Sequence, residues 1–209
     1  MINETLTQKE IITPSLLDAI NNRRAVRKYL EKPVSKELLE KLIDAGRMAP
    51  SAINRQPWKF YVLTKKEDIM LYSKEIKHGM VKVLPKLGLK NVVKSAVEGI
   101  KHLSFGIEFM KEEDPVFHGA PAVIFITAAK DNEWASLDVG MCAQNIMLAA
   151  KSFGLDTCPV GFGKFVMETE SYSRLGVPED EQVLLSVIVG YGNEKPELHP
   201  RKKDNVKFL

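Results

Sequence analysis

The chain has 209 residues, 44% of them hydrophobic and 27% charged, with a net charge of +3. That is the make-up of one globular domain with room for a substantial core; it argues against disorder, and the dilution of bases by acids leaves no nucleic-acid footprint. The opening "MINETLTQKE" lacks the apolar stretch of a signal peptide, no apolar run could span a bilayer, and Cys142 and Cys158, without CxxC spacing, read as free thiols in a reducing cytoplasm.

Residues 14–29, "PSLLDAINNRRAVRKY", predict a helix that starts at Pro14 and gathers Leu16, Leu17 and Ile20 on one face. Arg23, Arg24 and Arg27 close it, with Arg23 and Arg27 one turn apart. Residues 35–50 predict a second helix, capped by Ser35, striped by Leu38, Leu39, Leu42 and Ile43, and ending near Gly46. The stretch "APSAINRQPWKF" (49–60) breaks that helix with turn residues and leads into a strand at 58–64.

Residues 66–118 have a looser helical pattern, interrupted by Pro85. Lys82, Lys86, Lys90 and Lys94 recur there every fourth residue, the spacing of a solvated helix face rather than of an anion-binding surface. "AVIFITAA" (122–129) is a continuously apolar strand, so both its faces should be covered. Residues 136–154 are apolar nearly all round, as in a buried helix, and end on Gly154. A short strand or loop (155–163), a helix-like stretch (164–175) and a strong strand (182–190) follow, before a tail with Arg201, Lys202 and Lys203. About four strands among helices make one layered α+β or α/β domain over 1–209, with 65–118 as a helical excursion.

Familiar catalytic signatures are missing. Gly161-x-Gly163 has Val166 where the dinucleotide fingerprint needs a third glycine, and Gly163-Lys164 is not followed by Ser or Thr as in a P-loop. The four histidines stand singly, without metal-ligand spacing, and no serine occupies a G-x-S-x-G elbow. What remains is cationic and amide-rich. Two arginine-bearing clusters could grip a phosphate if folding joined them, although each alone reads as a solvated helix end or tail. Asn54, three residues beyond Ser51, offers donor and acceptors to a heteroaromatic edge, while Gly161 and Gly163 would let backbone N–H groups approach a flat ligand.

"RRAVRKY", "APSAINRQPWKF", "PVGFG" and "VIVGYGNEKP…HPRKK", in this order and spacing, resemble the FMN-dependent nitroreductase family. The likeness runs over about 15–64 and 119–203. It implies an α+β sheet flanked by helices and an intertwined homodimer whose interface binds FMN with residues of both chains. By that resemblance Arg23, Arg24 and Arg201, joined by Lys203, match phosphate-side positions. Arg27 matches the cation beside N1–C2=O of the flavin ring. Pro50, Ser51 and Asn54 match the loop that reaches the partner's flavin, and Pro159, Val160, Gly161 and Gly163 the segment near N5 and O4. The helix at 136–154 matches the central dimer helix.

Such a protein would take electrons from NADH or NADPH and pass them to small nitroaromatics or quinones in a ping-pong cycle. The flavin would do the redox work, with no metal and no catalytic side chain. Two departures stand out. Ala25 stands at a cofactor-side position where the family often has serine, and 65–118, where members place a substrate lid, matches no subgroup. No ferredoxin-type cysteine run precedes the domain. A flavin carrier or sensor without turnover is the competing expectation.

Overall fold

A computed structural model describes residues 15–91, 109 and 111–209. Strand β1 (Lys59–Leu63), β2 (Ala122–Ala129), β3 (Asp156–Val160) and β4 (Glu181–Gly190) form one sheet in the order β1-β2-β4-β3, with every neighbouring pair antiparallel. Helices α1 (Leu16–Asn22), α2 (Lys36–Arg47), α3 (Lys66–Asn91) and α4 (Ala135–Ser152) accompany it, giving an α+β architecture.

The unbroken apolar run of β2 is explained by what covers it. Side chains alternate across a strand, so Ala122, Ile124, Ile126 and Ala128 face one side with Val187 and Val189 of β4. There they meet Leu39 and Leu42 of α2 and Val139, Cys142 and Ile146 of α4. Val123 and Phe125 face the other side with Ile188, against Ile69, Tyr72 and Ile76 of α3 and against Val116 and Phe117. Phe125 meets Tyr72 and Phe117 edge to face, at 6.4 and 5.8 Å between ring centres. Each large side chain buried this way contributes about 1.5–3 kcal/mol, so two apolar layers hold one sheet in place.

Ser35 caps α2 as expected, its Oγ accepting from the Leu38 N–H at 3.3 Å. Gly46 stands near the end of that helix as expected, one residue before its last, Arg47. A Cβ at Gly46 would lie 2.8 Å from Ile146 Cγ1, so the glycine lets α2 lie close against α4. Pro85 does not interrupt α3, which runs through it as far as Asn91. Lys94 and most of the remaining excursion fall outside the described residues. The helix expected at 164–175 is two 3-10 pieces, Gly161–Glu168 and Tyr172–Leu175.

The largest correction concerns the first helix. It stops at Asn22, and Arg23 is already extended, at φ −63° and ψ 127°. Ala25 bridges Thr157 of β3, the Val26 N–H donates to the Thr157 carbonyl at 3.1 Å, and Tyr29 bridges Gly192. Ladder bonds and the burial of Val26 outweigh helix propensity here. Leu16, Leu17 and Ile20, gathered on one face of the helix, are exposed, and only Ala19 of α1 is buried. The apolar helix α4 likewise leaves Leu137 59% exposed beside exposed Gly140 and Gln144. No helix among the described residues is long and apolar enough to cross a membrane.

Candidate functional site

The extended run after α1 is held on two sides. β3 pairs with Ala25 and Val26, and the chain after β4 closes over the other side. There the Asn193 N–H donates to the Lys28 carbonyl at 2.8 Å and the Arg27 N–H donates to Glu194 Oε1 at 2.5 Å. Arg23 and Arg27 therefore share one side of the run by the two-residue period of extended chain, farther apart than one helical turn would set them. Both lie close enough to lower the pKa of the Cys158 thiol, although burial pushes that thiol up on balance.

A cleft of about 410 Å³ opens beside this run. Arg27, Glu112, His118 and the segment Cys158–Phe162 line it, with Phe109, Pro115 and Val116 completing the wall. Its size suits a small ligand. A second lobe of about 390 Å³ shares Arg27, Glu112 and His118 and adds Lys28 and Glu194. Of the expected N5-side residues, Pro159, Val160 and Gly161 line the cleft. Gly163 is buried instead, and a Cβ there would lie 1.9 Å from Ser186 Oγ, so its missing side chain is accounted for by β4.

Pro50, Ser51 and Asn54 lie before β1, at the opposite edge of the sheet from β3. Their loop is tightly specified. Ile53, Asn54 and Gln56 adopt left-handed backbone at φ +47°, +56° and +47°. For a β-branched residue such as Ile53, 83% exposed, that conformation is strained. Ser51 Oγ accepts from the Gln56 N–H at 2.9 Å, and Asp138 of α4, 1% exposed, accepts from the Ala52 N–H at 3.2 and 3.3 Å. Arg201 and Lys203 lie on the exposed tail, where an Arg201 Nη1 hydrogen donates to the His199 carbonyl. One chain thus sets Arg27 in the cleft with 159–161, Ala25 against Thr157 and Arg23 close to Cys158. Arg24 Nη1 donates to the Asn21 and Arg23 carbonyls, and the 50–54 loop lies at the far sheet edge.

Sequence reasoning overlooked several of these groups. His118 was set aside as a lone histidine, yet "DPVFHGAP" is dense in turn residues, and Asp138 is the lone acid in an otherwise apolar helix. Asp114 organises the turn before β2, accepting from the Phe117 and Gly119 N–H groups at 2.8 Å each and from the Ser73 hydroxyl.

The donor set fits a flavin phosphate. Among the described residues Arg23, Arg24, Arg27, Arg201 and Lys203 form no ion pair, whereas Arg47, Lys59, Lys151 and Arg174 each face a carboxylate. Opposite Ala25, Thr157 Oγ1 is the one buried side-chain polar atom without a hydrogen-bond partner among the described residues. A guanidinium group without a carboxylate partner keeps its planar donor fork available for bidentate contact with phosphate.

In fold, the chain matches over its whole length a nitroreductase with bound FMN from Desulfitobacterium hafniense DCB-2, at TM-score 0.73 and 25% identity, covering all of that chain. The Nitroreductase family model matches residues 20–191. A nitrobenzene nitroreductase of Ectopseudomonas oleovorans is 31% identical over 210 residues, 88% of this chain and 90% of that one. A 4-nitrobenzoate reductase of Pseudomonas putida is 29% identical over 202 residues, 88% of each. The chain belongs to the nitroreductase family.

Proposed function

We propose that the protein is an FMN-dependent NAD(P)H oxidoreductase of the cytoplasm that reduces small nitroaromatics, quinones and related electron-poor acceptors. The observation that carries this reading is the arginine run fixed between β3 and the chain after β4, with Arg27, which forms no ion pair among the described residues, lining a ligand-sized cleft. Bound FMN would accept electrons from a nicotinamide and return them to the acceptor in a ping-pong cycle. Arg23, Arg24, Arg201 and Lys203 would hold the phosphate, and Arg27 would stabilise negative charge at the N1–C2=O edge. Pro159, Val160 and Gly161 would form the wall beside N5, and Ala25, lacking a hydroxyl, would leave phosphate binding to its neighbours. Gly163 would bring its backbone close only by way of its packing on Ser186.

The reading includes a homodimer with FMN shared between subunits. Two features support it: α1 and α4 leave Leu16, Leu17, Ile20 and Leu137 open in one chain, and the strained 50–54 loop has no ligand-side neighbour within its own chain. Apolar patches of this kind mark interfaces, and a shared cofactor would couple assembly to binding. The buried, unpaired thiols of Cys142 and Cys158 support a reducing compartment. Stopped-flow mixing with NADH and NADPH separates an enzyme from a flavin carrier. Rapid bleaching of the flavin bands, then recovery with 4-nitrobenzoate or benzoquinone, is the expected result; a flavin that neither coenzyme reduces would overturn it.

A further inference from the structure

We propose that His118 gives the proton that the electron acceptor needs, from the cleft wall opposite Pro159–Gly161; this rests on the oxidoreductase reading above. The ring lies in both lobes of the cleft, half-buried, and the backbone that carries it is unusual. His118 sits at φ +55°, a left-handed conformation costly for a residue with a side chain. It is followed by Gly119 at φ +67°. Asp114 enforces the turn, since its carboxylate accepts from the Phe117 and Gly119 N–H groups and its carbonyl from the His118 N–H at 3.1 Å. A strained histidine held by a dedicated carboxylate, at the wall of a ligand-sized cleft, is placed for use rather than for packing.

The other titratable groups lining the main cleft serve differently. Arg27 stays protonated at any relevant pH. The Cys158 thiol, pushed up by burial, is a poor proton donor at neutral pH. Glu112 faces His118 at 3.8 Å from Nδ1, where it can orient the ring and favour its charged form. The charges around the ring come from three segments: Glu112 and Asp114 on its own turn, Arg27 on the extended run, and Glu194 after β4. Burial dominates and lowers the imidazole pKa below its ordinary value, with Arg27 acting the same way and the three carboxylates opposing.

A quinone that receives two electrons and one proton as hydride equivalent from the reduced cofactor is left with a negative oxygen. The imidazolium nitrogen turned away from Glu112 loses its N–H bond, an O–H bond forms on that oxygen, and the product leaves as the neutral hydroquinone. The neutral ring regains a proton from water. The acid form is the working one, so acceptor reduction must slow as pH rises through the His118 pKa.

The test is stopped-flow reoxidation of NADH-reduced protein by benzoquinone between pH 5 and 9, for wild type and His118→Gln. The expected result is about a 100-fold slower reoxidation in the variant, with the fall at rising pH lost. An unchanged rate, or a slower rate that keeps the wild-type pH profile, would overturn the assignment. Wild type that is not reduced by NADH or NADPH would instead defeat the underlying reading. Should the variant not fold, NMR titration of ring-labelled wild-type protein decides. A His118 ring titrating below its ordinary value supports the proposal, and one with no titration across pH 5–8 sinks it.

Discussion

Replacing Gly163 by alanine inserts a methyl where β4 leaves no room. The new Cβ would lie 1.9 Å from Ser186 Oγ and 2.7 Å from Ser186 Cβ, and the second contact cannot be relieved by rotating the hydroxyl. The 3-10 piece must lift from the sheet, and the buried hydrogen bond from Ser186 Oγ to the Val160 carbonyl, 3.0 Å, goes with it. Overpacking of this kind costs about 1–3 kcal/mol. A buried polar group left unsatisfied costs about 1–3 kcal/mol more. The sum, about 2–6 kcal/mol, lowers the melting temperature of a chain this size by about 4–24 °C. Urea unfolding of Gly163→Ala, Ser186→Gly and the double variant measures it, because removing Ser186's side chain makes room for the methyl. The double variant should be more stable than the summed single effects imply, by about 1–3 kcal/mol. A Gly163→Ala midpoint equal to wild type, or strict additivity, would refute the packing argument.

Asp138→Ala removes the buried acceptor of the Ala52 N–H and should cost about 1–3 kcal/mol while weakening FMN binding through the loosened 51–56 loop. Asp138→Asn, which keeps an acceptor oxygen, should restore most FMN affinity; equal loss in both variants would count against a positioning role. Arg201→Ala should weaken FMN binding about tenfold, measured by fluorescence titration of apoprotein, and leave apoprotein melting unchanged because the side chain is exposed. Undiminished FMN affinity would remove Arg201 from the site.

Elements with a strong local period were readable from residues alone. The Ser35 cap, the Leu stripe of α2, and strands at 59–63, 122–129 and 181–190 match their expected places within a residue or two. The two-sided cover of β2 followed from its unbroken apolar run. In one stretch tertiary contacts outweighed local preference. Arg23–Tyr29 looks helical by composition but pairs with Thr157 and Gly192, both more than a hundred residues away. Gly46, near the end of α2 as its place in the sequence suggests, and Gly163 are also points of close approach between elements, which no local pattern reveals. Leu16, Leu17 and Ile20 form a genuine apolar face, yet no property of that face says whether it turns to its own core or to another chain. Family resemblance singles out the arginine run, the 50–54 loop and the 159–161 segment, and the chain itself brings Arg27 and 159–161 to one cleft. His118 and Asp138 were not legible in the sequence, because a single polar residue gains meaning only from the cavity or loop it meets.

The central claim is that arginines of one subunit and the amide-bearing loop of another enclose one flavin. A crystal structure of the protein grown with FMN tests it most directly. The account predicts a dimer with the phosphate within about 3 Å of Arg23 or Arg201 guanidinium nitrogens and the ring against Pro159–Gly161, with the second subunit's 50–54 loop at its edge. A flavin held wholly within one subunit, or a phosphate out of reach of every one of these arginines, would contradict it.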